Sequence, residues 1–377
     1  MGIQQPISGP LRGFVESMRR VGSRPALYVD GKVHSYEELG RLSGRIAATI
    51  RNTSPPSMPL VAMLAHRSLT AYAGVLGILG AGKGYVPLNP KLPAERLLRI
   101  LTLAGPDVLI VGKEARKHLE LLLPKLPQRT VMICSDMEDL DGLSASFPQH
   151  QFVPGSAMAE GALIAADPRE GDDPIAYLLF TSGSTGDPKG VPVRQSNLAA
   201  YVRYIADRYA VNEEDRFSQM FEMSFDLSVH DMFVCWEGGA CLYAMPDHTV
   251  MAPAKFIRDH AITMWFSVPS VIGVMEKLGM LKPRLFPTLW TSLFCGEPLL
   301  GRHAQVWQEA APHSLVENLY GPTEATIAIT HYRWNPATSP DICKSGITPI
   351  GRAFSGQKTC VIDSTFHSVA AGDSGEL

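Results

Sequence analysis

Short apolar runs alternating with helix-period segments predict an α/β protein, with parallel strands covered by helices on both faces. Two compositional observations agree: 45% hydrophobic against 19% charged residues over 377 positions supplies a substantial core, and 33 Gly and 29 Pro punctuate the chain without a fixed period. Disorder, collagen and coiled coils are thereby excluded. The net charge of −3, from 34 basic and 37 acidic residues, offers no basic footprint for a phosphate backbone, so nucleic acid is not an expected partner. The length suggests two or three folding units.

The elements follow in order. Leu11, Phe14, Val15 and Met18 form one apolar stripe, predicting a short helix. Ser35 followed by Glu38 fits a capping box, and Leu39, Leu42, Ile46 and Ile50 continue one helical face behind it. Residues 60–65 read as a buried strand, 69–79 as a helix, and 85–88 as a strand ended by Pro90. Helix, strand, helix and strand are expected at 95–103, 108–111, 118–123 and 131–134. Between 141 and 173 the periodicity fades, predicting a long irregular surface excursion. Beyond it, strands are expected near 176–180, 264–268 and 292–294, with helices near 198–208 and 271–278 and a β-prone run at 359–362.

Six scattered cysteines (Cys134, Cys235, Cys241, Cys295, Cys343, Cys360) form no CxxC pair, which predicts reduced, mostly buried thiols. Arg12, Glu16, Arg19 and Arg20 leave the N-terminus without a signal-peptide core, and the uncharged stretch 68–82 is too short and glycine-rich to span a bilayer. A cytoplasmic protein with no membrane partner is expected.

A buried strand runs directly into Thr181-Ser182-Gly183-Ser184-Thr185-Gly186-Asp187-Pro188-Lys189-Gly190. Glycines let the backbone turn N–H groups toward an anion, hydroxyls donate further, and lysine adds a point charge. The composition suits a triphosphate. It is not a Walker A loop, because Pro188 precedes Lys189 and Gly190 follows it. A Ser/Gly-rich surface turn is the alternative.

This loop resembles the third core motif of the adenylate-forming enzymes, specifically the amino-acid adenylation domains of nonribosomal peptide synthesis and their stand-alone relatives. His34 to Leu39 is similar to that family's first motif, Leu79 to Pro90 to its second, Phe225-Asp226-Leu227-Ser228 to its fourth, and Asn318-Leu319-Tyr320-Gly321-Pro322-Thr323-Glu324 to its fifth. Five motifs stand in family order. The implied fold is the family's large N-terminal core, with stacked αβαβα subdomains at about 1–172 and 173–345 and the start of a smaller distorted β subdomain at 346–377.

The resemblance also implies roles. Thr181, Ser182, Gly183, Ser184, Thr185, Gly186 and Lys189 would hold the β- and γ-phosphates of ATP. Cys295-Gly296-Glu297-Pro298 would line the adenine pocket through its backbone, Asn318 and Gly321 belong to the same ATP site, Tyr320 would stack on adenine, and Thr323 would bond the α-phosphate. Glu324 would hold Mg²⁺, a cation that prefers hard oxygen ligands. Lys189, Thr323 and Glu324 are thus the expected catalytic residues. An ordinary turn is the alternative for Tyr-Gly-Pro-Thr-Glu.

Asp226, an acid within apolar sequence, would pair with a substrate ammonium, the alternative being a helix N-cap. The side-chain pocket would be formed by Phe225, Leu227, His230, Phe266, Leu293, Cys295, Leu319, Gly321, Ile327 and Ala328. Its apolar character favours a small aliphatic amino acid, proline or alanine in that order. His230 is open between a hydrogen-bonding pocket wall and a satisfied core histidine.

The expected activity is therefore ATP-dependent formation of an aminoacyl-adenylate and its transfer to a carrier-protein phosphopantetheine thiol by a monomer. Family members continue past Gly375-Glu376-Leu377 into a mobile C-terminal domain, so a weakly active core is expected. A D-alanine or other carboxylic-acid ligase of the same superfamily, or a non-catalytic nucleotide-binding module, are the alternatives.

Overall fold

The computed structural model describes residues 9–126, 128–164, 173–182, 188–250, 252–370 and 372–377, with the backbone alone at Ser182. The chain divides into two compact units, Met1–Phe266 and Ser267–Leu377.

The first unit holds a seven-stranded sheet in the order Gln151–Pro154, Val131–Cys134, Val108–Val111, Leu60–Leu64, Gly84–Leu88, Ile175–Ser182, Pro188–Arg194. All neighbours are parallel except the last pair, an antiparallel return. Side chains alternate between the two faces of a strand, so inner strands covered on both faces must be apolar throughout. Leu60, Ala62 and Leu64 meet Leu97, Ile100 and Leu119 in one apolar cluster. On the other face, helix Leu69–Gly80 approaches Met63 and Ile110 so closely that a Cβ on Gly74 would contact both. That helix is buried along almost its whole length, which its uniformly apolar sequence requires.

Capping-box geometry starts helix Tyr36–Thr53: the Ser35 hydroxyl accepts from Glu38 N at 3.2 Å, and Ser35 N donates back to Glu38 Oε2 at 2.9 Å. The same unit carries Lys32–Ser35, Pro25–Val29, Cys241–Ala244 and Arg216–Gln219 in a second sheet, with Met264 paired to Phe217. Phe14 of the first helix packs against Tyr36 and Trp236, with ring centroids 5.3 and 5.5 Å away. Trp236 Nε1 donates to Ala26 O at 3.1 Å, so the buried polar atom is satisfied.

In the second unit, Thr291–Phe294 and Leu315–Tyr320 run parallel, and Thr330–Arg333 and Arg352–Ala353 add antiparallel. Trp307 of helix Gly301–Ala310 packs on Phe286 and Phe294.

Two expectations need correction. The segment 141–173 is not wholly irregular: helix Asp141–Ser146 leads into Gln151–Pro154, which takes an edge of the larger sheet. The β-prone run at 359–362 forms no regular strand, only bridges from Ile362 to Ser368 and Glu376. Of the cysteines, Cys134, Cys235, Cys241 and Cys295 are buried free thiols, Cys343 is half-buried and Cys360 exposed. No helix among the described residues is long and apolar enough to cross a membrane.

Candidate functional site

The glycine-rich segment lies in sequence between two strands whose register brings Thr181 opposite Lys189 and Ser182 opposite Pro188. Gly183, Ser184, Thr185 and Gly186 lie outside the described residues. The Thr181 hydroxyl donates to Lys189 O at 3.5 Å.

Asp226 occupies the N-cap position of helix Leu227–Gly238 but makes no side-chain cap bond, so the N-cap alternative does not describe it. The residue is only 8% exposed. Two phenols lie within its field: Tyr85 and Tyr177 are register partners on adjacent strands, with ring centroids 5.8 Å apart. Their hydroxyls are buried and have no hydrogen-bond partner among the described residues. Burial first, and the charge of Asp226 second, push both phenols well above their ordinary pKa. Phe225, beside Asp226, is 60% exposed, whereas Leu227 is buried.

His230 shares a helix face with Asp226 and Leu227 at i+4 and i+3 spacing. Its Nδ1 lies 2.8 Å from the Tyr201 hydroxyl, and Phe266 packs on its ring at 4.6 Å. Phe221 packs edge-on to Phe266 at 5.2 Å, completing an aromatic row. Burial lowers the His230 pKa to about 3, so the ring is neutral at pH 7. Tyr201 and Phe221 are not identifiable from the sequence; each sits in an ordinary apolar pattern on another element. One residue further, Asp231 is fully buried with both carboxylate oxygens unpartnered among the described residues, and burial raises its pKa well above the ordinary value.

The C-terminal ends of four strands in this unit are tied by charge. His66 Nδ1 lies 3.0 Å from Glu222 and its Nε2 3.0 Å from Asp247, while Lys91 reaches the same two carboxylates at 3.0 and 2.7 Å. Arg67 adds a second permanent cation, 3.4 Å from Asp247. Burial alone would lower the His66 pKa, but hydrogen bonds to Glu222 and Asp247 outweigh it and hold the value above 6.5. Lys91 and Arg67 already neutralise both carboxylates, so a His-and-two-acid metal reading does not fit.

In the second unit, strand Leu315–Tyr320 ends in a loop closed by Ile329 N donating to Tyr320 O at 2.8 Å. Gly321 is required there, since a Cβ would lie 2.6 Å from Ala328 Cα. Thr323 and Glu324 sit in the 3₁₀ turn Thr323–Ala325, with Glu324 exposed. Thr326 and Ile327 follow at φ 65° and 72°, a left-handed conformation that β-branched residues adopt only when held. Ile327, Ala328 and Leu319 are buried, and Tyr320 is 40% exposed, which leaves ring surface for stacking. Asn318 is committed structurally: its Nδ2 donates to Pro349 O at 3.0 Å. Glu297 is likewise engaged, Oε2 accepting from Ser270 N at 2.9 Å at the start of helix Ser270–Lys277. Cys295 and Leu293 are buried, Gly296 has φ 89°, and Pro298 is exposed. The exposed Glu324 carboxylate on a tightly held turn suits a hard divalent cation.

The chain matches the AMP-binding enzyme family over residues 14–377. It is 32% identical to an L-proline–[L-prolyl-carrier protein] ligase of Streptomyces coelicolor over 364 residues, 94% of this chain and 66% of that protein. A D-alanine–D-alanyl carrier protein ligase of Lactiplantibacillus plantarum is 29% identical over 93% of this chain and 64% of its own. The chain thus spans about two thirds of the length of these ligases. The Vibrio cholerae adenylation domain AlmE, crystallised with glycyl-adenosine-5'-phosphate, superposes with a TM-score of 0.86 at 31% identity, covering 100% of this chain and 71% of that one.

Proposed function

The chain belongs to the AMP-binding enzyme family, and from that premise we propose that it activates a small, largely aliphatic amino acid, proline or alanine, as an aminoacyl-adenylate destined for a carrier-protein phosphopantetheine thiol. The observation that carries the amino-acid assignment is Asp226: a nearly buried carboxylate at a helix start that it does not cap. A nearly buried carboxylate favours a cation beside it, and a substrate ammonium is one.

In the reaction a substrate carboxylate oxygen bonds to the α-phosphorus of ATP while the bond to pyrophosphate breaks, so anionic groups must be held together as charge spreads. We assign Lys189 and the 181–186 loop to the β- and γ-phosphates, Thr323 to the α-phosphate, Tyr320 to adenine and Glu324 to Mg²⁺, which when bound neutralises phosphate charge. Gly296 and its neighbours would meet the nucleotide through their backbone. Asn318 and Glu297 act by bracing the segments they bond. We assign Leu227, His230, Phe266, Leu293, Cys295, Leu319, Ile327 and Ala328 to side-chain selection.

The resemblance to a D-alanyl carrier protein ligase supports a second reading within the same chemistry, D-alanine as substrate. Pyrophosphate exchange with L-proline, L-alanine, D-alanine and glycine tests both readings on the full-length protein. Exchange with none of them refutes the proposal.

A further inference from the structure

Tyr201 lies on helix Gln195–Arg208, remote in sequence from every motif, yet its hydroxyl sits 2.8 Å from His230 Nδ1 with both side chains buried. A phenol is a much stronger acid than a neutral imidazole N–H, and an imidazole nitrogen is a better acceptor than a phenol oxygen. The hydroxyl therefore donates and Nδ1 accepts, which leaves the ring proton on Nε2. Phe266 packs against the same ring at a 59° tilt, and Phe221 backs Phe266, so the imidazole is held at Nδ1 and packed by an aromatic side chain.

We propose that Tyr201 is a specificity-positioning residue, holding His230 in a single orientation as a neutral Nε2–H donor. The wall that results is rigid and uncharged, and it restricts the site to small uncharged amino acids. This inference rests on the assignment of His230 to the amino-acid pocket. A cationic side chain meets an N–H that cannot accept its hydrogen bond, and a longer side chain meets a ring that cannot rotate away. Without the tether the imidazole is free to turn about χ1 and χ2, and the pocket loses its fixed depth.

The test compares the wild-type chain with Tyr201→Phe, which keeps the ring volume and removes only the hydroxyl. Long-range ¹H–¹⁵N spectra at pH 7 report the His230 tautomer. The wild type should show the Nε2–H form alone, and Tyr201→Phe a mixture of both. Titration with non-hydrolysable alanyl- and leucyl-adenylate analogues should then show preference for alanyl in the wild type, falling about tenfold or more in Tyr201→Phe, the scale of one methylene in a fitted pocket. A wild-type Nδ1–H tautomer, or undiminished preference in Tyr201→Phe, overturns the proposal. If neither analogue binds the wild type, the amino-acid reading fails while the tautomer result still decides the tether. Should Tyr201→Phe misfold, His230→Ala, which removes the ring, gives the complementary measurement: its alanyl preference should fall by a similar factor, and an unchanged preference overturns the proposal.

Discussion

Asp231→Asn should make the protein more stable at neutral pH, by an amount that grows with pH. Asp231 is fully buried on helix Leu227–Gly238, and among the described residues neither carboxylate oxygen has a hydrogen-bond partner. Burial holds its carboxyl protonated in the folded state well above the ordinary pKa of 3.8. The unfolded chain releases that proton near 3.8, so unfolding gains free energy as pH rises beyond it. The wild type therefore loses about 1.4 kcal/mol of stability per pH unit relative to the variant, until the folded-state carboxyl itself ionises. One pH unit changes the unfolding constant about tenfold more in the wild type than in the Asp231→Asn variant. Near pH 4 the two should differ by less than about 1 kcal/mol, because both carry a neutral polar group in the same place. Urea unfolding at half-unit steps from pH 4 to 8 measures the difference directly, and every other titrating group cancels between the two proteins. Parallel curves across that range would show that Asp231 ionises in the fold, refuting the orphan-acid argument.

The charged tie at His66 should give a pH window of its own. The raised His66 pKa stabilises the fold fully below 6.5 and is lost as pH rises through the folded value; the lowered Glu222 and Asp247 values, the latter about 2, stabilise above 4.5 and 3.8 and are lost as pH falls. His66→Gln should abolish the alkaline limb of that window in a pH series of melting temperatures, and an unchanged limb would contradict the pairing. Gly321→Ala should cost about 1–3 kcal/mol in urea unfolding, because the added carbon meets backbone rather than a movable side chain. A midpoint equal to wild type would mean the loop relaxes freely. Glu324→Ala should weaken Mg·ATP-dependent turnover far more than amino-acid binding, and equal losses in both would displace Glu324 from the metal role.

The elements most legible in sequence are those with clean periodicity or local chemistry. Leu60–Leu64, Val108–Val111 and Val131–Cys134 are unbroken apolar runs, and the Ser35–Glu38 capping box is a purely local signal. Arg216–Gln219 is illegible because Ser218 and Gln219 are polar yet buried, satisfied by contacts far along the chain: Tyr72 Oη donates to Gln219 at 2.7 Å. Gln151–Pro154 is hidden by a half-exposed pattern at a sheet edge, where burial imposes no strong alternation. Among the proposed site residues, Gly321 is readable because the close approach of Ala328 backbone leaves no room for a Cβ. Tyr201 and Phe221 are not, since a tertiary contact to His230 or Phe266 leaves no mark in their own neighbourhoods. Asn318 and Glu297 carry the reverse lesson: residues within motif segments whose side chains bond backbone groups.

The central claim is that Asp226 reads a substrate ammonium. Calorimetric titration of the chain with proline and alanine, alongside the matching carboxylic acids without the amino group, tests it most directly, in wild type and Asp226→Ala. The account predicts that only the amino acids bind the wild type, and that Asp226→Ala weakens them by about 100-fold or more, as expected for breaking a buried ion pair. Equal binding of the des-amino acids, unaffected by Asp226→Ala, would contradict it.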